Sequence, residues 1–422
     1  MSIYQKASLV QIPSGYKAAD DKLYSVVPNN GDGDFTVTVA AGATRVNKDG
    51  LIETTVANQA RLSRNFIDGV VQPDPFLLLE PTRTNQFTNS ENLSNIDYQN
   101  FTTITPNNTI APSGSLTADK TTQTNGGYLR ETVSVSNGTT YSFSVFLKKG
   151  DLRYAVIRSL FSQNGTTPAN SNNVFDLDNG SVIYTGTDIV NASIEAYPND
   201  WFRCSFVSTA SATSSAPFID FYFSSSSSNS QSAGTNGFGY GWGMQLEAGS
   251  YSTSYIPTTS AAVTRTIDYA SGAGDINTFN DSEGTLFIDA AALGNDGTYR
   301  VINISDGTSS NRVLIQLGNN NNQIRADLIS GGVTQTSLST TSYTFTDFNK
   351  IAFKYKGDDT ALFVNGTQVG TTQTGKTMPT GLDRIDFTNG SLGSVFYFRG
   401  KLKQLMYFDT ALSDSELQTL TS

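Results

Sequence analysis

The sequence of 422 residues contains no histidine and a single cysteine, Cys204. One cysteine excludes an intrachain disulfide. The missing histidine excludes His-type zinc sites, Ser-His-Asp triads and Cys-His dyads built within the chain. Basic runs are also missing, and the net charge is −10. The footprint that a nucleic-acid partner requires is therefore absent, and so is the attraction to an anionic membrane surface. No apolar run approaches the roughly 20 residues that span a bilayer, so neither nucleic-acid binding nor membrane insertion is expected. The opening MSIYQKASLVQIPSGYK lacks the charged-then-apolar pattern of a secretory signal. Synthesis in the cytoplasm is expected from this. Helical periodicity is scarce too: the one good helix start is SDSELQTL, where Ser413 and Glu416 fit a capping box.

What is present points to β-structure. Apolar residues make up 37% and charged residues 15%, both below ordinary globular usage. Ser, Thr, Asn and Gly fill the difference. With 25 Phe and 19 Tyr the chain has the aromatics that disordered chains lack. Its length suits about two to four domains. Short alternating segments recur between turn residues, the pattern of antiparallel sandwiches. GTTYSFSVFLKKG puts Tyr141, Phe143, Val145 and Leu147 on one face, with Phe146 and Lys148 on the other. DWFRCSF sets Phe202, Cys204 and Phe206 against Trp201 and Arg203, and PFIDFYF sets Ile219, Phe221 and Phe223 against Asp220 and Tyr222. In ALFVNGTQVG, Asn365-Gly366 predicts a type I′ hairpin.

Three regions follow: a small extended N-terminal region over 1–75, ended by the two prolines of VQPDPF, then 76–265 and 266–422. The fold class expected is all-β, two consecutive antiparallel β-sandwiches (jelly rolls) after the N-terminal region.

The second region carries LLLEPTRTN, APSGSLTADK, NGTTYSFSVFLKKG, NDWFRCSFVSTA and GWGMQLEAGSYSTSYIPTTSAAVTRTID, in that order. In sequence and order these resemble the carbohydrate-binding-module-like jelly roll of bacteriophage virion proteins of the tail-fibre and head-fibre type. GDGDFTVTVAAGATRVNKDGLIE resembles the leader that precedes it. One departure is NSENLSNIDYQNF, where Tyr98 stands in place of the usual Trp. The third region, with EGTLFIDA, NKIAFKYKGDDTALFVNGTQVG and GKLKQLMYFDTALSDSELQTLTS, resembles a laminin-G or concanavalin-like lectin sandwich. The resemblance implies a virion-surface protein that binds host-surface glycans, attaches to other virion proteins through its N-terminal region and assembles as a homotrimer. Two alternatives remain: a decoration or connector protein without a glycan ligand, and a glycan depolymerase.

No ligand residue carries over one by one, so the candidates come from strand parity. Sugars are held by aromatic faces and planar polar groups. The faces turned from the core supply Phe146, Lys148, Trp201, Arg203, Asp220, Tyr222, Gln245 and Glu247 as a carbohydrate-binding set. The bland reading is that this face packs on other protein. No carboxylate pair stands out for the ~5–9.5 Å separation of a glycosidase, so no catalytic residue is assigned. NGDGD resembles a calcium loop at Asp32 and Asp34, yet its twelfth position is Ala43, which reads as a tight turn. No cofactor is assigned; the concanavalin-like resemblance leaves calcium near Asp306 or Asp358 as the one to test. Finally, GFGYGWGMQLE alternates Phe238, Tyr240, Trp242, Met244 and Leu246 with Gly239, Gly241, Gly243, Gln245 and Glu247. The aromatic side reads as core, and the bare glycines imply that something approaches them closely.

Overall fold

Turn chemistry fixes where the strands end. Asn365 and Gly366 adopt φ of +47° and +77°, and they join strands Thr360–Val364 and Thr367–Gln373 with Val364 opposite Thr367. This is the hairpin that an Asn-Gly pair favours, since both central residues need positive φ. The computed structural model describes residues 3–13, 23–161, 171–211, 217–228, 235–389 and 396–422. The fold is all-β, and the described residues contain one α-helix, Asp414–Thr421. Ser413 caps it, with the reciprocal Glu416 contact of a capping box. Leu417 and Leu420 lay it against Phe287, Ala352, Phe363 and Met406.

The jelly roll is organised around one long strand, Ala118–Thr132. Its first half, Asp119–Gln123, pairs with Gly237–Gly241, and its second half, Leu129–Thr132, pairs with Phe218–Phe221. It thus belongs to both layers. One layer continues through Gly237–Ala248, Thr140–Lys149, Trp201–Thr209 and Asn191–Tyr197. The other runs through Phe218–Ser224, Tyr154–Leu160, Asn172–Asp176 and Ser181–Tyr184, with Tyr98–Thr109 on the opposite side of the shared strand. Between them lie Phe143, Val145, Leu147, Cys204 and Phe206 from the first layer and Leu129, Ile157, Phe175, Phe221 and Phe223 from the second. Of these, alternation in the sequence assigns Phe143, Val145, Leu147, Cys204, Phe206, Phe221 and Phe223 inward.

The second sandwich has a nine-stranded and a five-stranded sheet. Gly400–Phe408, Glu283–Ala292 and Asn349–Lys356 form the middle of the first, and Arg300–Ser305, Arg312–Leu317 and Ile324–Ser330 that of the second. Their shared core holds Leu286, Ile288, Ile302, Ile315, Leu328, Phe353 and Leu405.

The expected divisions at 75 and 265 do not coincide with these layers. Leu9–Gln11 pairs with Gly400–Phe408 (Leu9 opposite Tyr407), and so does Phe76–Leu79 (Leu79 opposite Gly400). Leu9, Phe35, Val37, Leu62, Leu77 and Leu79 all sit in the core of the C-terminal sandwich. The chain therefore begins that sandwich, leaves it to build the jelly roll and returns to complete it. The outgoing strand Arg83–Asn85 and the returning strand Val263–Arg265 pair antiparallel at the crossing. A short Gly-rich segment buries too little alone to hold itself. Here it is ordered by the C-terminal strands, some 400 residues away in sequence at Tyr407.

A buried ionic cluster sits where the chain crosses. The Arg61 guanidinium reaches Glu80 at 2.7 Å and also pairs with Asp268, while Arg265 reaches Glu80 at 2.9 Å. All four side chains are 3% exposed or less. Ser254 adds its amide and hydroxyl to Glu80 at 2.8 and 2.6 Å. Burial alone would raise the Glu80 pKa, but Arg265 and Arg61 outweigh it and hold it at about 2.

Candidate glycan-binding faces

The eight residues expected to form one sugar face divide between two faces of the jelly roll. Six lie on the outer side of strands Thr140–Lys149, Trp201–Thr209 and Gly237–Ala248. They are true neighbours: Lys148 is opposite Trp201, Phe146 opposite both Arg203 and Trp242. Most of this face is covered by the chain itself, which corrects the expectation that Phe146, Trp201, Gln245 and Glu247 meet a ligand, while Lys148 and Arg203 stay partly exposed. Phe146, Trp201, Gln245 and Glu247 are 1% exposed or less. Ile52, Val46 and Phe66 from the N-terminal segment close over Phe146, Trp201, Trp242, Tyr197 and Tyr255.

The polar members of this face are engaged as well. Trp201 Nε1 donates to the Ile110 carbonyl at 3.0 Å. Arg203 donates to Ser144 Oγ and the Thr253 carbonyl at 2.9 and 2.7 Å, and Lys148 to the Asn199 carbonyl at 2.7 Å. Glu247 accepts from Gln245 Nε2 at 2.8 Å and from the Thr253 amide at 2.9 Å. Gly50, at φ +78°, lets the N-terminal turn approach Pro198. Parity identified the outward side correctly but carries no information about what lies over it.

The glycine stretch breaks its own alternation. Ser144 is opposite Gln245 while Phe146 is opposite Trp242, so two residues, Gly243 and Met244, face Val145 alone. This is a β-bulge, and Gly243 takes φ of +66° there. Parity flips across it. Trp242 is buried as expected, at 1% exposure, but in the covered outer cluster rather than with Met244 and Leu246 in the main core. The glycines before the bulge face inward. A Cβ on Gly239 would collide with the ring of Phe223, and one on Gly241 would sit 2.9 Å from Leu93 Cδ1. What approaches those glycines is the interior of the same sandwich: Phe223 of the opposite layer and Leu93 of the short turn Leu93–Asn95.

Asp220 and Tyr222 lie on the outer face of the other layer, which presents a different surface. Asp220 is opposite Arg130 on one neighbouring strand and Arg158 on the other. Arg130 is in turn opposite Tyr98, and Arg158 opposite Asn172. One step along, Tyr222 is opposite Val156, Val156 opposite Val174, and Val174 opposite Tyr184. Because residues two apart share a face, Tyr128 and Tyr154 join this surface, as does Phe218. Tyr128, Tyr154 and Tyr184 stand half-buried around Tyr222, and Tyr98 is 50% exposed. Arg130 grips Asp220 through Nε and Nη2 at 2.6 and 2.9 Å, and Arg158 Nη2 reaches the same carboxylate. The Arg130 guanidinium also lies 3.6 Å from the Phe218 ring centroid. Burial pushes the Tyr222 hydroxyl up to about 12 against the pull of Arg158. Sequence reasoning missed Tyr128, Arg130, Tyr154, Arg158 and Tyr184. The signal was there in RYAVIRSL and GGYLRET, which alternate Tyr and Arg with apolar partners.

The remaining expectations resolve locally. Tyr255 packs at a tilt on Trp242 with centroids 4.6 Å apart, and Tyr251 packs against Gly294 where the chain exits. Asp34 accepts from the Ser25 amide at 2.7 Å within a turn. Asp306 is occupied by Thr308 and Asn311 of its own loop, and Asp358 by the Gly375 amide. Among the described residues no three Asp, Glu, His or Cys side chains converge as metal ligands.

Residues 285–418 match the model of the concanavalin A-like lectin/glucanases superfamily, in its laminin-G form. No curated protein matches. Among solved structures, the carbohydrate-binding module CBM40 of the Ruminococcus gnavus IT-sialidase, bound to α2,3-sialyllactose, is 18% identical with a TM-score of 0.31. That match covers 36% of this chain and 94% of the module. The NanB sialidase of Streptococcus pneumoniae is 16% identical with a TM-score of 0.30, over 35% of this chain and 25% of the enzyme. The heptameric SAP-like pentraxin of Limulus polyphemus is 15% identical with a TM-score of 0.27, over 33% of this chain and 70% of the pentraxin. The family match thus falls within the C-terminal sandwich, which over those residues is similar to concanavalin-like lectin domains.

Proposed function

We propose that the chain is a non-catalytic glycan-binding protein of the phage virion surface, which holds host-surface glycans during adsorption. The observation that carries the binding reading is the outer face of the jelly roll's second layer. There Tyr98, Tyr128, Tyr154, Tyr184 and Tyr222 surround the row Arg130–Asp220–Arg158. Aromatic faces take the C–H patches of a sugar, and forked guanidinium groups fix its oxygens. The lectin-type second sandwich agrees with the same reading. Binding without cleavage is supported by the state of Asp220: both its oxygens are held by arginines, which leaves it unsuited to proton transfer. Location on a virion, attachment through residues 1–75 and a homotrimeric assembly rest on the motif resemblance. Repeated copies on a particle would turn weak single-site binding into avidity.

The test is an array of host-surface polysaccharides probed with multivalent protein. Wild type should bind. The double variant Tyr154→Ala/Tyr184→Ala should lose tenfold or more while keeping its unfolding midpoint, because both rings are only half-buried. Absence of binding to any glycan, with virions disrupted by loss of the protein, would favour a purely architectural role. New reducing ends or unsaturated sugars after incubation would overturn the non-catalytic part.

A further inference from the structure

We infer that the glycan held on the tyrosine-lined face is acidic, and that its carboxylate sits against Arg158 beside the Tyr222 hydroxyl. The inference rests on the glycan-binding reading above and narrows it to one class of sugar. Three observations carry it.

The first is charge. In the row across the sheet, two guanidinium groups face one carboxylate: Arg130 and Arg158 against Asp220. The Arg158 side chain is only 11% exposed and the Asp220 side chain is fully buried, so the surplus cation is poorly served by solvent. Of the other charges near this layer, Asp97 and Glu131 accept backbone amides. Arg153 is paired with Asp176 and Asp178, and Lys149 with Asp178. Glu131, the next residue after Arg130, has the opposite parity and accepts the Asp97 amide at 3.1 Å.

The second is unsatisfied donors. Arg158 Nε and Tyr222 Oη are both buried and have no hydrogen-bond partner among the described residues. Tyr222 as a whole is 3% exposed. Native structures rarely leave such groups unpaired, and each calls for a partner.

The third is convergence. Arg158 is opposite Asp220, and Tyr222 is two residues along the same strand and opposite Val156. Arg158 and Tyr222 are thus diagonal neighbours on one face, within the reach of long side chains. A carboxylate meets all three conditions: it accepts from the guanidinium edge and the phenol, and it neutralises the surplus charge. A neutral sugar hydroxyl would satisfy the donors and leave the charge uncompensated. The surrounding tyrosine rings then take the apolar side of the pyranose.

The experiment uses the full chain and a panel of uronate-containing and other carboxylate-bearing oligosaccharides, each paired with its carboxyl-reduced form. Affinities are read by titration calorimetry at fixed ionic strength. The acidic forms should bind at least tenfold more tightly than their reduced partners, and the difference should shrink as salt is added. Arg158→Gln should abolish that discrimination, bringing the acidic forms to the level of their reduced partners, while the bidentate Arg130–Asp220 pair keeps the face folded. Arg158→Lys, which keeps the charge but not the fork, should retain part of it. Equal binding of acidic and reduced forms overturns the acidic inference while glycan binding stands. Failure to bind any member of the panel or of the polysaccharide array removes the underlying reading as well. A preference retained by a folded Arg158→Gln protein would refute the assignment to Arg158.

Discussion

Replacing Glu80 by Gln tests whether the buried cluster at the crossing joins the two sandwiches. Glu80 is the shared anion between Arg61 and Arg265, and it also takes two hydrogen bonds from Ser254. Gln keeps one acceptor but aims an NH2 group at guanidinium donors, and it removes the one carboxylate paired with both buried cations. Breaking one partner of a buried ionic group costs about 3–5 kcal/mol. The pKa gives a second route to the size. A fall from 4.5 to about 2 on folding, at roughly 1.36 kcal/mol per unit, corresponds to ~3 kcal/mol. The sign follows from the direction. The folded pKa lies below the unfolded one, so this stabilisation is complete above about pH 4.5 and is lost as pH falls toward 2. Asp268, raised by burial against the pull of Arg61 and Arg265, acts in the opposite direction in both proteins. Urea unfolding followed by tryptophan fluorescence reads the jelly roll directly, since Trp201 and Trp242 are each 1% exposed. The variant should be ~3 kcal/mol less stable at pH 7, with the gap closing toward pH 2. A loss under ~1 kcal/mol at neutral pH, or a gap that does not change with pH, would falsify the argument.

Two further outcomes concern the covered face. Trp201→Ala, expected from parity alone to weaken glycan binding without unfolding, should instead cost about 3–5 kcal/mol of stability, because the indole is buried and donates to Ile110. Calorimetry should show a lowered melting temperature, with the affinity of the folded fraction unchanged; a stable variant with lost binding would contradict this. The isolated jelly roll, residues 86–262, would lose the cover of Val46, Ile52 and Phe66. It should bind a hydrophobic dye and self-associate on size exclusion, and a monomeric module with native fluorescence would show the cover to be dispensable.

Much of the fold was legible because each strand carries its own register. YSFSVFL, WFRCSF and PFIDFYF sort their inward residues correctly, and the structure places Phe143, Cys204 and Phe221 in one core. Asn365-Gly366 and the Ser413–Glu416 box are local chemistry, and local chemistry survives without tertiary knowledge. Two things were hidden for physical reasons. A bulge adds one residue without a composition signal of its own, so Trp242 was assigned to the side of Met244 when it lies opposite. Strand pairing between Leu9 and Tyr407 is set by burial across the whole chain, and no local pattern encodes it.

The insertion also decides which face is left for a ligand. A jelly roll has two outer faces, and the crossing of the chain commits one of them. The Thr44–Val46 and Ile52–Thr54 hairpin is tied to the returning segment by Thr44 Oγ1 on the Tyr255 carbonyl at 2.5 Å, and its apolar side seals Phe146 and Trp242. Glu80, Arg265 and Asp268 then fix that approach from beneath. The other layer, with Tyr98 half in solvent and a surplus guanidinium beside Tyr222, has no such cover from the described residues of the N-terminal segment. The two faces began with similar residue types, aromatics beside Arg and acid. Their fates differ because aromatic–arginine surfaces suit both protein packing and sugar binding, and the chain's own topology has already used one of them for packing.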